Sequence, residues 1–415
     1  LAAIDPRDCT GEDEILDPDC TDGDSDGWCS FLDCNDGSSS YGYDAPEVGG
    51  NSLDEDCDGF TDEPADGDFD FDGDGDSINQ GDCNDFEPGV CPNCVEGAAN
   101  DGFDNDCDGA TDEHTCTCNA SINHSVTSMN CVTELACDAS FFGSGNITSP
   151  SGDSIGNNWE PVAYFGNNGD LGPRANSSYG LLATGPATGT QHSTDTTPTQ
   201  TWIVDPYDSV GYMAHDVIEY SVQLTAPQNA QGFSFDYVFL SEEYDEWVGS
   251  QYNDKFYVFM NAPQTTGGAD QIINYTSCRD QSSGGYYDFI DSTCSDHPYD
   301  HCCYIAINTA LSECCWYGGC STSSQNTNLS GTGYSCAASE AVEMDNVSCG
   351  DDYCGRFYGS STGWLVTTKD VNPGETFSLT FHLHDTYDGI WDSEVILDNF
   401  TWYTTPVTPG TEPID

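Results

Sequence analysis

Aspartates recur at two-residue spacing, punctuated by glycine, along the stretch from Asp22 to Glu113, and the pattern is written twice. The first copy opens with Asp22, Asp24 and Asp26 before Gly27, continues through Asp33-Cys34-Asn35-Asp36, and closes with Asp54, Asp56, Asp58 and Asp62. The second opens with Asp72, Asp74 and Asp76, continues through Asp82-Cys83-Asn84-Asp85, and closes with Asp104, Asp106, Asp108 and Asp112. Matching positions lie 49 to 50 residues apart, which is the mark of a tandem duplication. Carboxylates at i, i+2 and i+4 with a following glycine are what a tight loop needs to aim several oxygens at one hard cation. The glycine permits the sharp turn that brings later ligands round. Asp22, Asp24 and Asp26 fall at positions 1, 3 and 5 of such a loop, Gly27 at 6 and Asp33 at 12. In the second copy the same count leaves Ser77 where glycine belongs and puts Asp82 at position 11. All-oxygen ligation selects calcium over softer metals, so several Ca2+ ions are expected. A disordered acidic tail would lack the phased glycines and cysteines.

On its Asp-Cys-Asn-Asp and Asp-Cys-Asp-Gly-x-Thr-Asp-Glu blocks the segment resembles the MopE-type metal-binding repeat of bacterial surface proteins. It is also similar to thrombospondin type 3 calcium repeats. The namesake of the first family binds copper, but copper takes imidazole or sulfur and these blocks offer hard oxygen.

Charge bounds the partners. The formal charge is −67, with 73 acidic and 6 basic residues, and 36 of the acids lie in residues 1–118 beside a single base, Arg7. Such a segment repels itself unless cations are part of its fold. A phosphate backbone needs Lys and Arg, so nucleic acid is excluded as a partner, and an anionic membrane surface with it. No hydrophobic run approaches a membrane span.

Twenty-three cysteines place the chain in an oxidising, extracellular compartment, secreted or attached to the cell surface. The start at Leu1-Ala2-Ala3-Ile4-Asp5 reads as a mature form whose signal peptide is gone. Thirteen cysteines fall between Cys9 and Cys137 and ten between Cys278 and Cys354, with none in the interval. If pairing stays within each group, one unpaired or intermolecular cysteine belongs to the N-terminal part. Bridges of this kind each contribute about 2–4 kcal/mol, which a nearly coreless acidic segment needs.

These loops must be carried on something. From about Ser140 the text alternates with period two: Phe233, Phe235, Tyr237 and Phe239 on one strand, and Phe377, Leu379, Phe381 and Leu383 on another. Ile218, Tyr220, Val222 and Leu224 repeat it, and Val395, Leu397 and Phe400 nearly do. Without helical periodicity, and with Gly, Pro and Asn turns between, this predicts a mostly β chain. The expected fold is an antiparallel, jelly-roll-like β-sandwich preceded by a loop-rich, disulfide-stapled calcium-binding segment. The boundaries read as an N-terminal segment 1–21, repeats over 22–118 (copies 22–63 and 66–113), a neck 119–139, and a sandwich 140–404. The sandwich carries a Cys-rich insertion over 278–354, and 405–415 forms a Pro/Thr tail that reads as a linker or processed end.

Gly232-Phe233-Ser234-Phe235-Asp236-Tyr237-Val238-Phe239-Leu240-Ser241-Glu242-Glu243-Tyr244, running on to Asn253-Asp254, resembles the signature of choice-of-anchor L domains. Tyr179 to Gly185 and Asp385 to Asp398 match that family's early and last strands. The resemblance implies an extracellular β-sandwich of bacterial or archaeal surface proteins with no known catalysis. Within these blocks Glu243, Asp254, Asp385 and Asp392, beside Glu242, sit at strand ends, where they read either as a further calcium site joining facing loops or as a solvated rim.

Other motifs weigh less. Gly359-Ser360-Ser361-Thr362-Gly363 satisfies the nucleophile-elbow pattern but lacks the helix that an elbow needs. Cys91-Pro92-Asn93-Cys94 reads as a staple rather than a redox pair. His297, His301, His382 and His384 are the candidates for a soft metal. Eight Asn-x-Ser/Thr sequons occur. Tyr286, Tyr287, Trp316, Tyr317 and Trp391 could offer a carbohydrate face but read more simply as packing residues.

The expectation is therefore a non-enzymatic, calcium-binding structural or adhesive surface protein. Self-assembly into a homo-oligomer or fibre and contact with cell-surface or matrix components are the expected partnerships. A secreted copper scavenger and a carbohydrate-active enzyme are the alternatives; acids at two-residue spacing in glycine-rich loops are poorly placed to flank one glycosidic bond.

Overall fold

In the computed structural model, residues 23–24, 33–42, 45, 53–55, 57, 70, 72–96 and 102–111 are described in the N-terminal part. Beyond it, 122–162, 174–187, 201–205, 211–241, 252–277, 302–306, 313–314 and 360–414 are described, a few single positions inside these ranges excepted. The chain divides into two compact units, Leu1–His114 and Thr115–Asp415.

The first unit is built from turns and bridges. Disulfides join Cys34 to Cys57, Cys83 to Cys107 and Cys91 to Cys94. The first two repeat one geometry: the N–H of Cys34 lies 2.8 Å from Sγ of Cys57, and that of Cys83 lies 3.0 Å from Sγ of Cys107. Cys57 and Cys107 also share a left-handed backbone, at φ 63° and 59°. The duplication seen in the letters is thus a duplication of backbone shape. Closing loops of this length contributes about 3 kcal/mol per bridge. The expected odd cysteine is not found among the described residues, none of which is a free thiol. A 3-10 turn, Ile78–Gln80, is held by its Ser77 N-cap, whose N–H donates to Gln80 Oε1 at 3.0 Å.

The second unit opens with α1 (Val126–Val132), capped by Ser125, whose hydroxyl accepts from the N–H of Ser128. Sixteen strands follow among the described residues. The first eight are β1 (Phe142–Thr148), β2 (Trp159–Val162), β3 (Tyr179–Ala183), β4 (Trp202–Val204), β5 (Met213–Thr225), β6 (Gly232–Ser241), β7 (Lys255–Asn261) and β8 (Asp270–Ile272). The rest are β9 (Tyr275–Ser277), β10 (Cys302–Ala306), β11 (Glu313–Cys314), β12 (Ser360–Ser361), β13 (Leu365–Asp370), β14 (Thr376–Thr386), β15 (Ser393–Tyr403) and β16 (Gly410–Pro413). They form two open, eight-stranded antiparallel sheets. One runs β1-β5-β14-β7-β10-β9, with β4 on β5 and β8 on β7. The other runs β11-β12-β6-β15-β3-β2, with β13 on β6 and β16 on β13.

The alternating side chains do what their period demands. Phe233, Phe235, Tyr237 and Phe239 of β6 meet Phe377, Leu379, Phe381 and Leu383 of β14 in one core, with Ile218, Tyr220, Val222 and Leu224 of β5. Each such buried side chain contributes roughly 1.5–3 kcal/mol. The opposite face of β6 is also buried, with Val238 and Leu240 packing on Tyr179, Leu181, Trp364 and Ile396.

Two stretches differ from expectation. The neck is part of the sandwich: Met129 of α1 is fully buried in the main core. Gly180 of β3 makes room for it, since a Cβ there would lie 2.6 Å from Met129 Cε. The Pro/Thr tail ends as β16, which pairs with β13 from Leu365 opposite Pro413 to Thr368 opposite Gly410. Ser360 and Ser361 form β12, an extended pair against β6, so the G-x-S-x-G string has no elbow geometry.

Candidate metal centres and buried polar clusters

Three carboxylates of the second repeat converge. Asp72, Asp74 and Asp82 each offer an oxygen within 4.8 Å of the others. The mechanism is local. Asp72 Oδ1 accepts from the N–H of Asp74 at 3.1 Å, Asp74 Oδ1 from that of Asp76 at 2.8 Å, and Asp82 Oδ1 from that of Asn84 at 2.8 Å. Each side chain thereby spends one oxygen on fixing the loop and leaves the other free of that task. Those second oxygens, Oδ2 of Asp72, Asp74 and Asp82, are buried with no hydrogen-bond donor among the described residues. Burial, with neighbouring carboxylates adding to it, raises the pKa of all three and pushes Asp74 up to about 6. A cation at the convergence would remove that cost.

The loop is phased two residues earlier than the sequence count. Asp70, absent from the expected ligands, accepts from the N–H of Gly73 at 2.7 Å and of Gly75 at 3.0 Å. Asp104 accepts in the same way from Asp108 at 3.1 Å and Gly109 at 3.0 Å. Asp70, Asp72 and Asp74 are therefore the structural counterparts of Asp104, Asp106 and Asp108, and Gly75 of Gly109. The reason is backbone conformation: Gly75 and Gly109 sit at φ 107° and 96°, where a side chain is strained, so the glycine position is 75 and not 77. Asp76 consequently leaves the converging set, while Asp85 joins Asp70 and Asp72 in a neighbouring group.

A third group is Glu96, Asp104 and Asp106. Glu96 had no spacing to announce it; its Oε1 accepts from the N–H of Asn105 at 2.6 Å and of Asp106 at 3.3 Å, holding the closing loop from outside it. In the first copy, Asp33 repeats Asp82: its Oδ1 accepts from Asn35 at 2.8 Å and its Oδ2 is buried without a donor. Asp36 Oδ1 accepts from Gly23 at 2.6 Å, and Asp24 and Asp54 each bury one carboxylate oxygen. Asp22, Asp26, Asp56, Asp58, Asp62, Asp112 and Glu243 lie outside the described residues. Cys91 and Cys94 approach Asp74, but their sulfurs are joined to each other and offer no thiolate.

In the sandwich the described strand-end acids, Asp254, Asp385 and Asp392, are buried rather than a solvated rim. Asp254, just before β7, joins the two sheets: its Oδ1 accepts from the N–H of Thr386 at 3.0 Å and its Oδ2 from the hydroxyl of Ser393 at 2.7 Å. Asp385 is 1% exposed, and neither of its oxygens makes a hydrogen bond of normal geometry. Burial drives its pKa well above the usual carboxylate range, and the charges of Asp254, Asp392 and Asp216 add to it; the Thr184 hydroxyl pulls weakly the other way. Asp254, Asp385 and Asp392 share this strand-end region but do not converge as tightly as the repeat groups.

One further cluster carried no signal in the sequence, and a second holds residues that the sequence had marked as soft-metal candidates. Glu134, Asp236 and Asp398 are buried and hydrogen-bonded by the exposed Arg174 and Asn176 and the half-buried Asn399. His382 and His384, the candidate soft-metal pair, are taken up elsewhere: His382 Nε2 lies 3.0 Å from His384 Nδ1, and His382 Nδ1 lies 2.9 Å from Glu219. His297 and His301 lie outside the described residues.

A family model described as the Choice-of-anchor L domain matches residues 119–401, and the chain belongs to that family. Its start at residue 119 agrees with the place of α1 inside the sandwich. Membership makes this a surface-associated protein, cell-attached or secreted. No curated protein matches the chain. Among the described residues no helix is long and apolar enough to cross a membrane.

Proposed function

We propose that this is a calcium-dependent structural or adhesive protein of the cell exterior, in which ions give the duplicated acidic segment its shape and the sandwich serves as the surface module. The observation that carries the reading is the convergence of the Asp72, Asp74 and Asp82 carboxylates, each with a buried Oδ2 that lacks a donor among the described residues. Hard oxygens on short loops suit calcium, which accepts irregular oxygen shells. Asp70, Asp72, Asp74, Asp82 and Asp85 would hold ions in the opening loop, Glu96, Asp104 and Asp106 in the closing one. The described residues of the first copy support the same for Asp24, Asp33 and Asp54. Asp385, with Asp254 and Asp392, is the proposed site in the sandwich.

The ion's part is electrostatic: it neutralises carboxylates that otherwise repel, and so lets loops without a core hold one form. A surface so anionic can then approach another through shared divalent ions, which is how this reading accounts for assembly. Copper scavenging finds less support, because the sulfurs near Asp74 are oxidised and the paired histidines are bound to carboxylates.

The test is metal analysis of protein dialysed against calcium, followed by circular dichroism and proteolysis with and without EDTA. Several equivalents of calcium, and an N-terminal segment that becomes protease-sensitive in EDTA, are expected. Identical spectra and cleavage in both conditions would remove the basis of the proposal.

A further inference from the structure

Lys255, the first residue of β7, is completely buried, as is Asp205, the residue that follows β4; Lys255 Nζ lies 3.2 Å from Asp205 Oδ2. The whole chain contains two lysines, Lys255 and Lys369. Lys369 behaves as a surface lysine does, reaching the exposed Asp370 at 2.6 Å. Lys255 is a costly residue to place in an interior, because desolvating two charges offsets most of what their attraction returns.

The surroundings are rings. The Tyr257 hydroxyl donates to the same Asp205 Oδ2 at 2.9 Å, and Tyr257 packs edge-on against Tyr304 with centroids 4.7 Å apart. His384 Nε2 is 3.5 Å from Asp205 Oδ2. From His384 the chain of proton-carrying groups continues through His382 to Glu219, whose side chain is 24% exposed. A lysine and an aspartate in contact, shielded from water, with a hydrogen-bond donor on the carboxyl and a line of imidazoles leading outward, make a site for condensation.

We propose that Lys255 and Asp205 form an intramolecular isopeptide bond, closed by the folded protein itself. The Lys255 ammonium passes one proton to the Asp205 carboxylate, directly or by way of His384, leaving a neutral amine and a carboxylic acid. The Nζ lone pair then adds to Cγ. One carboxyl oxygen leaves as water, taking the transferred proton and a second proton from nitrogen, and the amide nitrogen keeps the third. Charge and atoms balance, and neither oxidant nor co-reactant is needed. The dry aromatic setting favours the neutral amine and acid over the ion pair. Groups already held in contact, about 3–3.5 Å apart, react as if at very high local concentration. His384 Nε2, 3.5 Å from Asp205 Oδ2 and linked through Nδ1 to His382, is placed to relay the proton. The Tyr257 hydroxyl, on the carboxyl oxygen, polarises Cγ.

The bond would tie β4 to β7. Those strands are not neighbours: β4 lies on β5, β5 on β14 and β14 on β7. A covalent link across that span lets the first sheet carry tension without sliding, which suits a protein worn on a surface. The inference does not depend on the calcium reading.

The experiment is the intact mass of the full chain, produced in a host that adds no glycans, after reduction and alkylation, followed by peptide mapping. The wild type is expected to weigh one water less than its sequence and to yield a branched peptide joining Lys255 to Asp205. Lys255→Arg and Asp205→Ala restore the full mass, and His384→Gln gives a mixture that matures slowly. A wild type of full sequence mass, with residues 205 and 255 on separate linear peptides, overturns the proposal. That measurement decides the matter even where the variants fail to fold.

Discussion

Glu134 and Asp398 close on the same backbone N–H, that of Asn399, which lies 2.9 Å from Glu134 Oε2 and 2.9 Å from Asp398 Oδ1. One carboxyl comes from the turn after α1 and the other from β15, so the contact fastens the helix to the second sheet. Burial first, and then the charge of Glu134, pushes Asp398 up to about 9; burial also raises Glu134 and Asp236. The folded state therefore holds a proton that the unfolded chain releases near its ordinary carboxylate value of 3.8. The stability tied to that proton is complete below the unfolded value and is lost as pH rises toward about 9. Thermal melts of the sandwich are expected to fall steadily between about pH 5 and pH 9, by an amount on the order of a few kcal/mol. Glu134→Gln supplies a permanent hydrogen to the pair and flattens the slope, with Asn399 still donating to Asp398. An unchanged slope in that variant would mean that other groups set the pH dependence.

Asp74 is the residue on which to test the opening loop of the second repeat. Asp74→Asn keeps the acceptor that fixes the turn at Asp76 and removes the carboxylate's charge. Calcium affinity of this site is expected to drop by about tenfold or more, while the metal-free protein becomes no less stable. Ser77→Gly, which the simple count of loop positions would favour, is expected to leave calcium binding unchanged, because Ser77 is the N-cap of the 3-10 turn and not the loop glycine. Calorimetric titration of both variants checks the phasing.

Much of this molecule could be read from its letters, and the parts that could not share a cause. Period-two alternation named the core faces of β5, β6, β14 and β15, because a strand's inward side chains need only its own sequence. The disulfide-closed loops were legible for the same reason: Asp82-Cys83-Asn84 builds its turn within itself. Asp70 was missed because the left-handed turns at Gly73 and Gly75, and not the count of residues, set where the loop begins. Glu96 reaches forward to a loop nine residues away, a contact for which no spacing rule exists. Helix α1 is short and made of weak helix formers, so only Met129 packing in the core and the Ser125 cap make it a helix. Asp205, Lys255 and His384 come from three distant segments, and Glu134, Asp236 and Asp398 likewise; sequence separation hides what topology assembles.

Asp385 separates a cation site from a merely strained carboxyl. In EDTA it is a buried acid without hydrogen bonds, so Asp385→Asn is expected to stabilise the sandwich by ~1–3 kcal/mol. In calcium the wild type is expected to gain stability that the variant does not. Asp254→Ala behaves differently, because it strips the partners from Thr386 and Ser393; a loss of ~2–4 kcal/mol is expected with or without calcium. Melting both variants in the two buffers distinguishes these roles. A calcium effect that survives in Asp385→Asn would remove this carboxylate from the proposed ligands.

The sequons sort themselves by what their amides already do. Asn274 is fully buried; its Nδ2 donates to the Phe256 carbonyl at 3.0 Å and its Oδ1 accepts from the N–H of Val258 at 2.6 Å, so it acts as a piece of sheet. Asn176, which is exposed, and the half-buried Asn399 donate at 2.9 Å to the buried carboxylates of Glu134 and Asp236. Asn123 and Asn146 are exposed; Asn119, Asn328 and Asn346 lie outside the described residues. A glycan on Asn274 would cost the sheet two buried hydrogen bonds and a cavity that does not exist. Expressed in a host that glycosylates such sites, the folded protein is expected to carry sugar at Asn123 and Asn146 and none at Asn274 or Asn399. The same geometry predicts that Asn274→Ala destabilises by ~1–3 kcal/mol while Asn146→Ala is silent, since only the first leaves a strand N–H without a partner. Glycopeptide mapping reads the first expectation and denaturant melts the second, and sugar on Asn274 in folded material would contradict the sheet corner from which both are drawn.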